Sequence, residues 1–339
     1  MSMSIKNIYF AGGCFWGVEH FFKGVDGVVS TMPGYANGAL RNPSYEQVYT
    51  DTTGHAETVQ VGYDPSRVGL GKLVKLFFAS IDPLALNRQG HDVGTRYRTG
   101  VFYEDPEDLP VLEAEFDLVE RRLGVPPATE LLPLQGFWPA EERHRDYLDK
   151  NTGGYCHLDL KVFKYLRLYQ DLELLLGDEA NPVARQAQTA ALLQERMNFF
   201  WTGFYNVSDI SGAAGDPEAT AAKADGDREA EGPAAKADGD RETDAMLVLG
   251  PFQGPPACFR IARGRGVCGT AWARGRTIVV PDVEEFPGHI ACSSLSRSEI
   301  VVPLLRDGAV TGVLDIDSTS VGTFDEVDAT WLELIADLV

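Results

Sequence analysis

The sequence predicts an α+β chain of two domains, a layered α/β unit followed by a largely antiparallel sheet flanked by helices. Three observations lead there. At 339 residues the chain exceeds one ordinary core, and domains of about 100–200 residues make two the expectation. In the first half strand-like runs alternate with helix-like runs, whereas in the second half strand-like runs follow one another at short turns. Between the halves the apolar pattern stops at "GDEANP", where Gly177 and Pro182 are helix-ending signals.

In chain order, "KNIYFAG", "AETVQVGYD" and "YRTGVFYED" read as strands, and "FWGVEHFFKG", "GLGKLVKLFFAS" and "DLPVLEAEFDLVERRLG" carry helical apolar spacing. The domain boundary falls near 170–185, so we divide the chain into 1–175 and 176–339. "QTAALLQERMNFFWTGFYNV", residues 188–207, reads as an amphipathic helix running into a strand. At about 209–244 follows an acidic stretch without aromatics, in which "AAKADGDRE" occurs at 221–229 and again at 234–242. It cannot bury enough apolar area to offset ordering entropy, and two short polar copies cannot stack a core. A disordered insertion interrupting the second domain is expected. Beyond it "TDAMLVLGPFQG", "RTIVVPDV" and "EIVVPLLRDGAVTGVLDIDS" are strand-like, with "DGAV" a hairpin turn.

Composition narrows the function. The net charge of −20, with no basic stripe, argues against nucleic acid. Five cysteines fit reduced thiols in a cytosol-like compartment, and none has the spacing of a zinc site. "MSMSIKNIYFAGG" is too short in apolar residues for a signal segment, and no run approaches the roughly 18 apolar residues of a membrane span. A cytoplasmic protein with no metal and no membrane partner is expected.

In "AGGCFWGVEH", Cys14 follows a strand-like run and opens a helix-like one. A helix N-terminus stabilises anions, so a lowered thiol pKa is expected there. Phe15 and Trp16 can build an apolar pocket beside the sulfur. A tight turn with two core aromatics would look the same. Glu57, Tyr45 and the polar run "LNRQGHDVGTRYRTG", with Asp92 and Tyr97, add a candidate hydrogen-bonding shell.

"GCFWG", "GYANG", "NPSYEQVYTDTTGHAE", "LNRQGHDVGTRYRTG" and "GGYCH" stand in the order found in methionine sulfoxide reductase A, MsrA, which residues 5–165 resemble. The resemblance implies an α/β plait around a mixed sheet. It implies that Cys14 attacks the sulfur of an S-sulfoxide and Glu57 supplies the proton that lets oxygen leave, sound chemistry for a thiolate and a sulfoxide. By the same resemblance Phe15 and Trp16 cage the substrate methyl group, Tyr45 and Tyr97 bind the oxygen, and Asp92 supports them. Cys156 matches the resolving thiol that would condense with the Cys14 sulfenic acid. Thioredoxin would then reduce the disulfide, and no bound cofactor is expected. Ile81 and Arg143 depart from the family pattern, which usually has His and Tyr there.

The remaining cysteines are Cys258, Cys268 and Cys292. Downstream lies Glu299, and Asp315 and Asp317 share one strand face by period two. With "FFWTGFYNV", "LGPFQGPPAC" and "GRGVCGTA", these motifs resemble free methionine-R-sulfoxide reductases, fRMsr, a catalytic branch of GAF domains, over about 185–339. That resemblance implies Cys292 as nucleophile, Cys258 as its resolving thiol and Cys268 as an auxiliary thiol. Glu299, Asp315 and Asp317 would bind the free amino acid, and Trp201 and Tyr205 would form the pocket wall. The expectation is a bifunctional methionine sulfoxide reductase acting on free methionine sulfoxide and oxidised proteins, recycled by thioredoxin. The alternative is an MsrA enzyme carrying a GAF module that senses a ligand or redox state without catalysis.

Overall fold

A computed structural model describes residues 5–209, 245–290 and 293–339, and the chain divides between Asp171 and Leu172 into two units. Residues 210–244 of the expected insertion lie outside the described residues, as does Cys292; Asp209 ends a strand.

The first unit runs β1 (Lys6–Gly12), α1 (Phe15–Lys23), β2 (Val28–Ala36), α2 (Tyr45–Tyr49), β3 (Ala56–Tyr63), α3 (Leu70–Ser80), β4 (Arg88–Gln89), β5 (Asp92–Val93), β6 (Thr99–Tyr103), α4 (Leu109–Leu123), β7 (Glu130–Pro133), β8 (Phe137–Pro139), α5 (Tyr147–Lys150) and the start of α6 (Leu160–Leu176). Six strands pair in the order β7-β6-β1-β3-β2-β8. The β6–β7 pair is parallel and the other four are antiparallel, which makes the expected mixed sheet.

Alternation along β1 sends Phe10 to the helix-covered face, stacked between Phe22 of α1 and Phe77 of α3 at centroid distances of 4.5 and 4.8 Å. All three rings are fully buried, each stabilising the fold by about 1.5–3 kcal/mol. Tyr9 and Ala11 point the other way, against Phe102 and Phe137. β2 was not legible as a strand, because "VVSTMPGYA" is broken by Ser, Thr, Pro and Gly and its register shifts between Val28 and Ser30. Pairing with β3 on one side and β8 on the other holds it extended.

The second unit continues with α7 (Pro182–Met197), β9 (Trp201–Asp209), β10 (Ala245–Gln253), β11 (Arg260–Ala262), α8 (Gly266–Arg274), β12 (Ile278–Val280), β13 (Ser298–Arg306), β14 (Ala309–Ser318) and α9 (Glu326–Ala336). Its sheet has the order β11-β10-β9-β14-β13-β12, antiparallel throughout. Asp307 and Gly308 both take positive φ, 51° and 79°, the conformation a two-residue hairpin turn demands. Just past that turn the pairing shifts, Leu305 opposing Val310 and Leu304 opposing Gly312, so Thr311 bulges.

That register decides the faces. Trp201, Tyr205, Glu299, Val301, Val313, Asp315 and Asp317 share one side, which α8 covers with Val267, Cys268, Ala271 and Trp272. Phe204, Ile300, Leu314 and Ile316 point to the other, the side of α7 and α9.

Candidate active sites

The first site begins at a helix end. Gly13, at φ +86°, turns the chain out of β1; a Cβ there would lie 2.6 Å from that of Gln89. Cys14 is the N-cap of α1, extended and without a side-chain capping bond. The first amides of a helix lack intrahelical partners. Here Phe15 N–H donates to Glu57 Oε2 at 3.1 Å, so a carboxyl from β3 caps the helix that carries the thiol. Glu57 opposes Tyr35 of β2 and shares the helix-covered face with Val59, which opposes Phe10.

Burial dominates the electrostatics. Glu57 is 2% exposed and its carboxyl is pushed up to about 8, chiefly by desolvation, with the Phe15 amide and Arg96 opposing. Cys14 is also raised well above its ordinary value, first by burial and then by the Glu57 charge; the Trp16 backbone amide offsets only part. The lowered thiol pKa expected from the helix N-terminus is therefore corrected: at 5% exposure the loss of hydration outweighs the dipole. Tyr45 is pushed up to about 12, and Tyr97 is raised too, in both cases by burial and then by Glu57.

An aromatic box forms around Phe15 and Trp16, the two residues that follow the thiol. Phe15 lies 5.9 Å from Tyr35 and 5.4 Å from His144, and Trp16 stacks on Tyr147 at 3.7 Å. Tyr45 lies 4.5 Å from His144. Glu141 ties the box together, accepting from Tyr35 Oη at 2.7 Å and from Tyr45 N at 2.8 Å. Arg143 sits over the Tyr45 ring at 5.6 Å and pairs with Glu46, while Ile81 packs beside Gly12.

Cys156 approaches from the far side of the chain. A Cβ on Gly17 would be 3.2 Å from Cys156 Sγ and 3.0 Å from the His157 ring, so that helical glycine makes room for the segment. His157 Nε2 bonds Gly12 O at 2.8 Å. Cys14, Asp92 and His157 each offer an atom within 4.8 Å of the others. Asp92 Oδ2 is buried without a partner. Cys14 and Cys156 are free thiols.

The second site is a cavity of roughly 530 Å³ counting its mouth, into which Trp201, Tyr205, Cys268, Glu299, Asp315 and Asp317 all converge. Trp201 Nε1 donates to Pro255 O and Tyr205 Oη to Cys258 O, each at 3.0 Å. The wall aromatics thereby pin the segment carrying Cys258, which is disulfide-bonded; Cys268 is free. Cys268 Sγ faces Glu299 Oε1 at 3.9 Å. Burial, followed by mutual repulsion, raises Glu299, Asp315 and Cys268 well above their ordinary values. Asp317 rises to about 6 through burial, with Ser296 opposing. Cys292 is outside the described residues, but Ile290 and Ser293 line the cavity.

Sequence reasoning missed Tyr35, Glu141, His144, Tyr147 and His157 at the first site and Arg265 and His289 at the second. Tyr35 and His157 stood inside recognised motifs. Glu141, His144 and Tyr147 sit in an irregular charged run with no periodicity to expose them.

Residues 6–171 match the family model described as peptide methionine sulfoxide reductase, and residues 215–339 match that of the GAF domain. The peptide methionine sulfoxide reductase MsrA of Clostridium acetobutylicum is 49% identical over 160 residues, 47% of this chain and 99% of that protein. Among solved structures, the free methionine-R-sulfoxide reductase of Neisseria meningitidis in complex with its substrate is 45% identical, covering 51% of this chain and 84% of its own, with a TM-score of 0.41. The reduced fRMsr of Staphylococcus aureus is 36% identical, covering 51% and 91%, with a TM-score of 0.40.

Proposed function

The chain belongs, through residues 6–171, to the peptide methionine sulfoxide reductase family, and on that footing we propose a bifunctional enzyme that reduces both epimers of methionine sulfoxide. The carrying observation is that the first unit sets the buried free thiol of Cys14 beside a carboxyl that burial keeps protonated, and the second converges the free thiol of Cys268 and three acidic side chains on one cavity next to the Cys292 segment.

In the first unit, residues 1–175 by our division, Cys14 attacks the sulfur of S-sulfoxide, free or in a protein. Phe15 and Trp16 receive the methyl group, and Tyr45 and Tyr97 hold the oxygen. Glu57, protonated near neutrality, gives its proton to that oxygen as the S=O bond breaks. The carboxylate so formed takes up the proton of the raised Cys14 thiol, so the thiolate forms only as the acid is consumed and Glu57 ends protonated again. Oxygen passes to Cys14 as a sulfenic acid and methionine leaves. Cys156 then displaces it as water, forming a disulfide that the dithiol of thioredoxin reduces.

In the second unit, residues 176–339, Cys292 performs the same attack on free R-sulfoxide and Cys258 resolves it, with Cys268 at the pocket floor. The disulfide-bonded state of Cys258 supports its redox role. Glu299, Asp315 and Asp317 receive the α-ammonium, and Trp201 and Tyr205 wall the side chain. The α-ammonium takes the place of the protons that burial holds on these carboxyls, an attraction that a substrate lacking it forgoes.

The test uses the full chain with thioredoxin recycling and epimerically pure substrates. Cys14→Ser should abolish S turnover alone and Cys292→Ser should abolish R turnover alone. Absence of R turnover in the parent would leave the second unit a non-catalytic sensor.

A further inference from the structure

We propose that the second cavity is a binding site for a thiophilic divalent cation, Zn²⁺ in particular, held by Cys268, Glu299, Asp315 and His289. The donors come from four separate places in the chain, which is why no ligand spacing was visible in the sequence. α8 supplies Cys268, β13 supplies Glu299, β14 supplies Asp315, and the loop ahead of β13 supplies His289. One atom each from Cys268, Glu299 and Asp315 lies within 4.8 Å of the others. Cys268 Sγ is 3.9 Å from Glu299 Oε1, and His289 Nε2 is 3.7 Å from Glu299 Oε2. Zinc with bonds of about 2.0–2.3 Å to N, O and S in a tetrahedron separates neighbouring ligand atoms by about 3.3–3.6 Å. Cys268 and Glu299 therefore need to draw inward by a fraction of an ångström and Asp315 by up to about 1.5 Å, while His289, which faces the other oxygen of Glu299, must turn toward the shared centre.

Two further observations point to a cation. Asp315 is 7% exposed and its Oδ1 is buried with no hydrogen-bond partner. Cys268, Glu299 and Asp315, three groups that each shed a proton to become anionic ligands, are crowded at 4%, 6% and 7% exposure, with His289 beside Glu299 as the neighbouring base. A divalent ion replaces those protons and cancels the repulsion. His289 offers an imidazole nitrogen that already faces Glu299. Thiolate, imidazole and carboxylate together select zinc or cobalt over magnesium or calcium. Insofar as the site is also the R-sulfoxide pocket, a consequence that rests on the proposed function, the metal and the substrate ammonium compete for the same carboxylates. Zinc then inhibits the R reaction reversibly.

The experiment is a Co²⁺ titration of the full chain carrying Cys14→Ser and Cys156→Ser, with the Cys258 disulfide left intact. Those substitutions silence the first site, whose Cys14, Asp92 and His157 would otherwise bind metal too. One equivalent should bind with a thiolate-to-cobalt charge-transfer band, and Zn²⁺ should displace it stoichiometrically. Zinc binding in weak buffer should release at least one proton. Cys268→Ala should erase the band and Asp315→Asn should weaken Co²⁺ at least about tenfold, with far-ultraviolet circular dichroism unchanged. A missing band, no proton release, or a band that survives Cys268→Ala overturns the proposal. Because binding is read without substrate, R turnover failing in metal-free enzyme would refute the proposed function and leave the metal site standing.

Discussion

Glu57 joins the two roles of helix cap and acid in one side chain. Replacing it by Gln keeps an oxygen for the Phe15 amide but removes the transferable proton, so S turnover should fall by about 10²-fold or more while R turnover is unchanged. Because the Glu57 charge is the second cause raising Cys14, the same variant should ionise Cys14 at lower pH. The pH profile of alkylation, on a Cys156→Ser background, reads this directly; an unmoved midpoint would mean that burial alone sets the thiol. Stability carries the same signature. Glu57 ionises near 4.5 when exposed and about 8 when folded, so between those values the native state keeps a proton the unfolded chain has lost. Stability therefore declines as pH rises through that window. Glu57→Gln should melt with the parent below about 4.5 and above it at pH beyond about 8. At the second site, Asp317 is neutral below about 6, and the KM for free R-sulfoxide should climb as pH falls through that value. The identities of these residues were legible through their motifs. Their protonation was not, since desolvation depends on what the fold places overhead.

At the level of elements, Gly17 shows a local preference set against packing. Alanine in a helix interior normally gains about 1 kcal/mol over glycine, yet a methyl here would press Cys156 and His157 at 3.2 and 3.0 Å. Gly17→Ala should therefore slow closure of the Cys14–Cys156 disulfide and let sulfenic acid accumulate, while the first methionine is still released at near the parent rate. Trapping with a sulfenic-acid reagent in single-turnover mixing measures both. Elements with clean apolar rhythm were readable: β1, β3, β6, α1, α3 and α4 coincide with the runs picked out by pattern. The three-residue strands β8 and β11 and the four-residue α5 were not, because so few residues hold no period. α8 escaped too, since "GVCGTAWAR" has two glycines and helical form comes from laying Val267, Cys268, Ala271 and Trp272 on the sheet.

For the whole molecule, two units with separate sites predict additive chemistry. Given an equal mixture of the two epimers of free methionine sulfoxide, the parent should consume all of it, Cys14→Ser half and Cys292→Ser the other half. Consumption of both epimers by either variant would refute the assignment. The order of the two units was legible from motif order alone. The convergence of β13, β14, α8 and the His289 loop on one cavity was not, because pairing partners far apart in sequence leave no mark on either segment. The Asp307–Gly308 hairpin gives that convergence a hereditary consequence. Side chains on β14 alternate, so one residue gained or lost at the turn would send Asp315 and Asp317 toward the aliphatic side and bring Leu314 and Ile316 into the cavity. Mutation can therefore change the letters of this turn at modest cost in stability, but a change in their number would erase an active site more than 10 Å away along a strand that rises about 3.3 Å per residue.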